Sequence, residues 1–306
     1  MRVVRDLAEA QARLEAVGYV TEQDLAFAIA LAEELRRPLL VEGEAGVGKT
    51  AIAKAIADAF GRVLIRLQCY EGLDINNAVY EWNYQRQLMT IKLYENQPHS
   101  TEELQHEIFS ERYLLQRPLL RAIKMDEAPV LLIDEIDRAD EEFEAYLLEL
   151  LADYQISVPE LGTITAVSTP YVVLTSNASR ELSDALRRRC LYYYLPFPGY
   201  EKELCIVTTR LPALASRLAC QVVSFVQSLR THDLRKKPGI AETLDWSAAL
   251  MGLGVSSLDE DPQKLSHTLM CLLKTRQDQA AANTETITRL IVESVAAGDA
   301  AERIPR

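Results

Sequence analysis

An octapeptide rich in glycine, Gly43-Glu44-Ala45-Gly46-Val47-Gly48-Lys49-Thr50, lies between an apolar run (PLLVEG, 38–43) and an alanine-rich helical pattern (AIAKAIADAF, 51–60). Gly-x-x-x-x-Gly-Lys-Thr in that setting predicts strand, tight loop, helix, with the glycines letting the backbone curl so that successive N–H groups face inward. Such a concavity, at the positive end of a helix dipole, suits phosphate oxygens. Lys49 then reaches the β- and γ-phosphates of a nucleotide, and Thr50 offers its hydroxyl to Mg²⁺. The candidate nucleotide contacts are Gly43, Glu44, Ala45, Gly46, Val47, Gly48, Lys49, Thr50 and Ala51. The plainer alternative is a glycine-rich turn. At average glycine usage the match is expected on the order of once per hundred random chains of this length, which disfavours that alternative.

Further apolar runs read as strands: VLIRLQ (63–68), VLLI (130–133), YVVLT (171–175) and LYYYL (191–195). Continuous apolar strands alternating with helical patterns indicate a buried, parallel, five-stranded α/β sheet. The segment from Thr21 to Arg37 reads as a helix with Thr21 as N-cap, ending before Pro38. Between the second and third strands a long polar and aromatic stretch runs from Glu71 to Glu127, and its part STEELQHEIFSERYLLQRPLLRAIK reads as helix. So long a connection points to function. After Pro196 the patterns become wholly helical, with breaks near Pro212, Pro238-Gly239 and SSLDEDP (256–262). The division expected is an α/β nucleotide-binding domain over 1–196 and a smaller all-α domain over 197–306, closing in a loose tail, AAGDAAERIPR.

The chain has 306 residues, enough for one large and one small domain, and carries 45 acidic against 33 basic residues, a net charge of −12. That balance opposes the phosphate attraction on which nucleic-acid binders rely, so no nucleic-acid partner is expected. Five scattered cysteines without a Cys-x-x-Cys pair suggest neither a zinc ribbon nor a disulfide framework. The first twenty residues lack the apolar core of a signal peptide, and no run approaches a membrane span; a cytoplasmic location is the expectation.

Asp134 and Glu135 end the apolar run VLLIDEID, at the strand edge where open α/β sheets bind ligands. Asp134 suits the metal shell, holding Mg²⁺ through water, together with Thr50. Glu135 suits the base that orients the attacking water. A solvated turn or helix start is the ordinary reading of two such acids, and Asp137 and Asp140 fit a helix start. Asn177, at the tip of YVVLTSN, can hydrogen-bond a γ-phosphate and the lytic water, or can serve as a turn residue. Arg187, Arg188 and Arg189 cannot all face one nucleotide held by their own subunit; one can serve a neighbour as an arginine finger, or the triplet is a solvated run.

The order GEAGVGKT, LLIDEIDRAD, LTSN, LSDALRRRC and then a helical region resembles an AAA+ ATPase of the MoxR family over roughly residues 20–250. Within it, LDINNAVYEWNYQRQLM and KKPGIAETLDW resemble accessory ATPases that accompany molybdenum-containing carbon monoxide dehydrogenases. The resemblance implies ATP and Mg²⁺ as cofactors, a five-stranded core, a β-hairpin near Tyr154–Thr165, a helical lid, and a homo-oligomeric, hexameric ring with ATP between subunits. It makes Asn177 sensor 1 and Arg189 the finger, with Arg188 second. Where many relatives carry a sensor 2 arginine, this chain has Lys236 and Lys237, so Lys237 joins the candidate nucleotide contacts. It also implies a separate partner with a von Willebrand factor A domain and chaperone-like maturation of a client metalloenzyme.

Tyr80, Trp82 and Tyr84 can form an exposed aromatic loop that grips substrate, or can pack in a core. His99, His106, His232 and His267 show no ligand spacing for a further metal. A nucleic-acid motor sharing the same core and a nucleotide-dependent switch are the competing functions. The missing Asn-Lys-x-Asp signature argues against a GTPase, and Glu135 beside Asp134 favours water over a kinase acceptor.

Overall fold

The structure, a computed structural model, describes residues 2–94, 100–282 and 284–302. By contacts the chain divides into two compact units: Met1–Val17, Thr21–Glu42 and Thr50–Tyr194 in one, and Gly18–Val20, Gly43–Lys49 and Leu195–Arg306 in the other.

Among the described residues the first unit has nine strands: β1 (Leu39–Glu42), β2 (Leu64–Gln68), β3 (Tyr80–Trp82), β4 (Leu114–Gln116), β5 (Val130–Asp134), β6 (Gln155–Val158), β7 (Gly162–Thr165), β8 (Tyr171–Ser176) and β9 (Leu191–Tyr194). Five of them make a parallel sheet in the order β2-β5-β8-β1-β9. Every residue of β5 and β8 is buried, as continuous apolar runs in a doubly covered sheet require. The outer strands alternate: Arg66 and Gln68 emerge from β2, and Tyr192 and Tyr194 are about half exposed on β9. LYYYL is therefore an edge strand rather than a buried run, with tyrosine rings whose hydroxyls stay wet. β6 and β7 form the hairpin that the resemblance implies.

Three local expectations change. Thr21 is not a cap: the helix Gln23–Leu35 has Glu22 at its N-cap, with no side-chain capping bond to the helix, and Thr21 donates to the Glu22 carbonyl at 3.2 Å. The helix read across Ser100–Lys124 is broken into a helix Thr101–Ile108 capped by Ser100, a 3₁₀ turn Glu111–Tyr113, β4 paired antiparallel with β3, and a helix Pro118–Lys124. Pro118 sits at the first helical position, where its missing N–H costs nothing and where no preceding helix can run through it. The third change concerns the aromatic trio. Trp82 is 6% exposed and packs edge-on against Tyr80 and Phe109, whereas Tyr84 is 61% exposed, so the three do not form one exposed loop.

In the second unit the helices Tyr200–Arg210, Ser216–Arg230, Ile240–Gly252 and Thr284–Glu302 enclose a separate core around Trp246 and Phe225, whose rings lie 4.9 Å apart. The expected loose tail is helical as far as Glu302; residues 303–306 and His99 lie outside the described residues. Inside this core Arg230 meets Glu203 in a two-pronged pair, 2.6 Å on each side, and Thr243 donates to the same carboxylate. Such a pair is tolerated in the interior because its remaining donor, Arg230 Nε, reaches the Pro238 carbonyl at 2.7 Å. Among the described residues no helix is long and apolar enough to cross a membrane.

Candidate functional site

The sheet register brings the acidic residues together. Gln68 on β2 pairs with Asp134 on β5, and β5 is flanked on its other side by β8. Asp134 is 2% exposed, and its Oδ1 accepts the Thr175 hydroxyl at 2.5 Å. Thr50 Oγ1, on the first turn of the helix Lys49–Phe60, lies 3.1 Å from Oδ1 and 3.2 Å from Oδ2. Arg66 Nη2 lies 2.6 Å from Oδ2. The chain then turns at Glu135, which has a left-handed backbone (φ 56°, ψ 50°), and its N–H donates to Thr175 Oγ1 at 2.9 Å. Left-handed geometry in a residue with a Cβ costs roughly 1–2 kcal/mol. Glu135 Oε2 accepts from Gln68 Nε2 and pairs with Arg138 Nε, each at 3.1 Å.

Asp140 caps the helix Glu141–Asp153 by accepting the Phe143 N–H, as its spacing predicts. Asp137 has another role. It is 3% exposed and accepts the N–H of Asn177 at 3.2 Å, the N–H of Ser179 at 3.0 Å and the Ser179 hydroxyl at 2.5 Å. Burial alone would raise its pKa, but these donors hold the carboxyl below its usual value. The backbone of Asn177 is thus tied to the segment that follows Glu135. The buried Cys69 thiol is pushed up to about 12, first by burial and then by Asp134, Asp137 and Glu135. It stays protonated near neutrality.

The glycine loop lies in the second unit. Gly46 and Gly48 have φ +81° and +97°, values that side chains rarely adopt, and a Cβ on Gly43 would fall 2.3 Å from the Leu195 carbonyl oxygen. Lys49 Nζ donates to the carbonyls of Gly43 at 2.7 Å and Glu44 at 2.8 Å. The Ile240 N–H donates to the Gly46 carbonyl at 2.8 Å, and Glu242 accepts the Gly239 N–H at 3.0 Å. Lys237 is exposed in the preceding loop, where Asp278 accepts the N–H groups of Arg235 and Lys236.

This order of elements has a counterpart among known families: residues 38–190, half of the chain, match the model of the AAA domain (dynein-related subfamily). The chain belongs to that family. Among solved structures it is similar to a mutant of RuvB from Thermogota maritima, at 17% identity and a TM-score of 0.43, over 88% of this chain and 68% of that one. A likeness of that size carries no argument about function. No curated protein matches the sequence.

Within this AAA domain the three arginines separate. Arg187 turns inward, with Nη2 3.6 Å from Glu42 Oε2. Arg188 is 83% exposed and pairs loosely with Asp184, while Arg189 is half-buried with Nη1 3.4 Å from the Ala185 carbonyl. Sequence reasoning missed Arg66, Gln68, Thr175 and Ser179. Only the first two left a trace, as polar residues at alternate positions in an otherwise apolar strand.

Proposed function

We propose that this AAA domain binds ATP with Mg²⁺ and hydrolyses it. The observation that carries the proposal is the meeting of the Thr50 hydroxyl and the buried Asp134 carboxylate within 3.1 Å, directly after a loop in which Gly46 and Gly48 take positive φ. Hydroxyl and carboxylate oxygens are the donor set that Mg²⁺ accepts alongside phosphate. The ion would supply charge neutralisation on the β- and γ-phosphates.

The loop N–H groups from Gly43 to Gly48 and the Lys49 ammonium bind the phosphates, Lys49 leaving its two carbonyl partners to do so. Glu135 takes a proton from water as the water oxygen bonds to the γ-phosphorus. The bond from that phosphorus to the bridging oxygen breaks, and its electron pair leaves with ADP. Asn177, held through Asp137, positions that water. Charge that develops on the phosphoryl oxygens is met by an arginine of a neighbouring subunit, for which the exposure of Arg188 is the better qualification and the resemblance favours Arg189.

Resemblance to the MoxR family supports a larger reading, in which a hexameric ring remodels a metalloenzyme client with a von Willebrand factor A-domain partner. Lys237 would sense the γ-phosphate from the helical region. The acidic balance of the chain supports this reading over a nucleic-acid motor.

Lys49→Ala should lose ATP binding, and Glu135→Gln should bind ATP but turn over about 10²–10⁴-fold more slowly, the usual worth of a positioned base. Equilibrium binding and phosphate release measure the two effects. Wild-type turnover in either variant overturns the site.

A further inference from the structure

A carboxylate as enclosed as Asp134 needs a cation, and in this structure Arg66 provides it. Arg66 stands on the edge strand β2, two residues before Gln68, and both side chains emerge on the same face. Its Nη2 lies 2.6 Å from Asp134 Oδ2 and donates to Gln68 Oε1 at 2.5 Å. The amide of the same Gln68 donates to Glu135 Oε2. One arginine therefore caps the oxygen expected to face a metal and orients the residue that holds the expected base. The two partners differ in freedom. Asp134 is fixed by Thr175 and Thr50, whereas the Arg66 side chain is 52% exposed on a flexible stem that can swing its charge into water.

We propose that Arg66 is a displaceable counterion of Asp134 that is expelled when nucleotide-bound Mg²⁺ arrives. The inference rests on the ATP-Mg²⁺ reading given above. A guanidinium and a hydrated divalent cation drawn to the same carboxylate repel each other, so they compete for it. Departure of Arg66 also strips Gln68 Oε1 of its partner, which loosens the amide on Glu135. Metal arrival and release of the base are in this way linked through one side chain on β2.

The test uses full-length wild type and Arg66→Met, which keeps an unbranched stem without the charge. Binding of a fluorescent ATP analogue is titrated against Mg²⁺ at pH 8, and melting is followed with Mg²⁺ alone. The variant should reach half-maximal nucleotide binding at a Mg²⁺ concentration lower by on the order of tenfold, the worth of one charge-assisted hydrogen bond in competition. Mg²⁺ without nucleotide should raise its Tm but not that of wild type. An unchanged Mg²⁺ requirement overturns the proposal and leaves a plain edge-strand ion pair; an increased one overturns it by making Arg66 a phosphate ligand.

A measurement on wild type stands if the variant fails to fold. Phenylglyoxal labelling of Arg66, mapped by mass spectrometry, should rise several-fold with Mg²⁺ and a non-hydrolysable ATP analogue but not with the analogue in EDTA. Equal or lower labelling overturns the proposal. Failure of wild type to bind nucleotide at any Mg²⁺ concentration removes the ATP reading and this inference together, whereas normal wild-type binding with no competition removes the inference alone.

Discussion

Asp137 sits three residues beyond Asp134 and organises backbone, accepting from Asn177 and Ser179. Three part-buried donors from Asn177 and Ser179 converge on it. Asp137→Ala should cost about 1–3 kcal/mol, the worth of hydrogen bonds to a charged group, measured by denaturant unfolding at pH 7. The sign of the pH dependence follows from the depressed pKa. The stabilisation is complete above the unfolded carboxyl value near 4 and is lost as pH falls below it. Wild type should therefore lose Tm as pH falls below about 4, and Asp137→Asn, already destabilised, should show a shallower decline in the same scan. Equal slopes would mean that the hydrogen bonds do not depress the Asp137 pKa.

At the scale of elements, the helix Ile240–Gly252 begins against the phosphate loop. Gly239 is needed there for space rather than for its torsion, since its φ of −88° suits any residue. A Cβ on Gly239 would fall 2.5 Å from the Gly46 carbonyl oxygen and 2.6 Å from its Cα, two backbone atoms that cannot rotate away. Gly239→Ala should then cost about 1–3 kcal/mol by overpacking and weaken ATP binding, because the loop must move to admit the methyl group. Thermal melting and nucleotide titration check the two effects. Gly61→Ala is the control: nothing lies within 4 Å of its Cβ position, but its φ of +64° is strained, so stability should fall while nucleotide affinity holds.

At the scale of the whole molecule the question is what completes the site. Arg187 is engaged with Glu42, and Arg188 is open to solvent, as a group serving another copy must be. ATPase activity per subunit should rise with protein concentration as assembly proceeds, followed by light scattering. Arg188→Ala should assemble normally and lose about 10³-fold in turnover, the lower end of what an arginine finger supplies. Mixing it with Glu135→Gln should restore part of the activity, because some interfaces then combine an intact arginine with an intact base. A fully active monomer, or a mixture no more active than its components, refutes shared catalysis and leaves a nucleotide switch as the better reading.

The phosphate loop, the acidic strand end at Asp134 and Glu135 and the central strands of the sheet are legible in the sequence because each depends on contiguous residues. Glycine spacing states where the backbone curls, and an uninterrupted apolar run states that a strand is covered on both faces. Pro118 is equally visible in the sequence, but Pro at a first helical position and Pro inside a helix differ only in what precedes them, so the break there is not legible. Strand order is of another kind. β2 and β5 are separated by the long insert, and their register, which places Gln68 beside Asp134 and lets Arg66 reach the same carboxylate, arises from pairing distant segments. The conversion of Asp137 from an expected helix start into a clamp on Asn177 and Ser179, and the approach of Gly239 to Gly46, have the same origin. The sequence alone determined which residues are candidates for the chemistry of phosphate and water. The tertiary structure decided which side chains neutralise, hold or crowd them, because those contacts join residues that only the folded chain brings within hydrogen-bond distance.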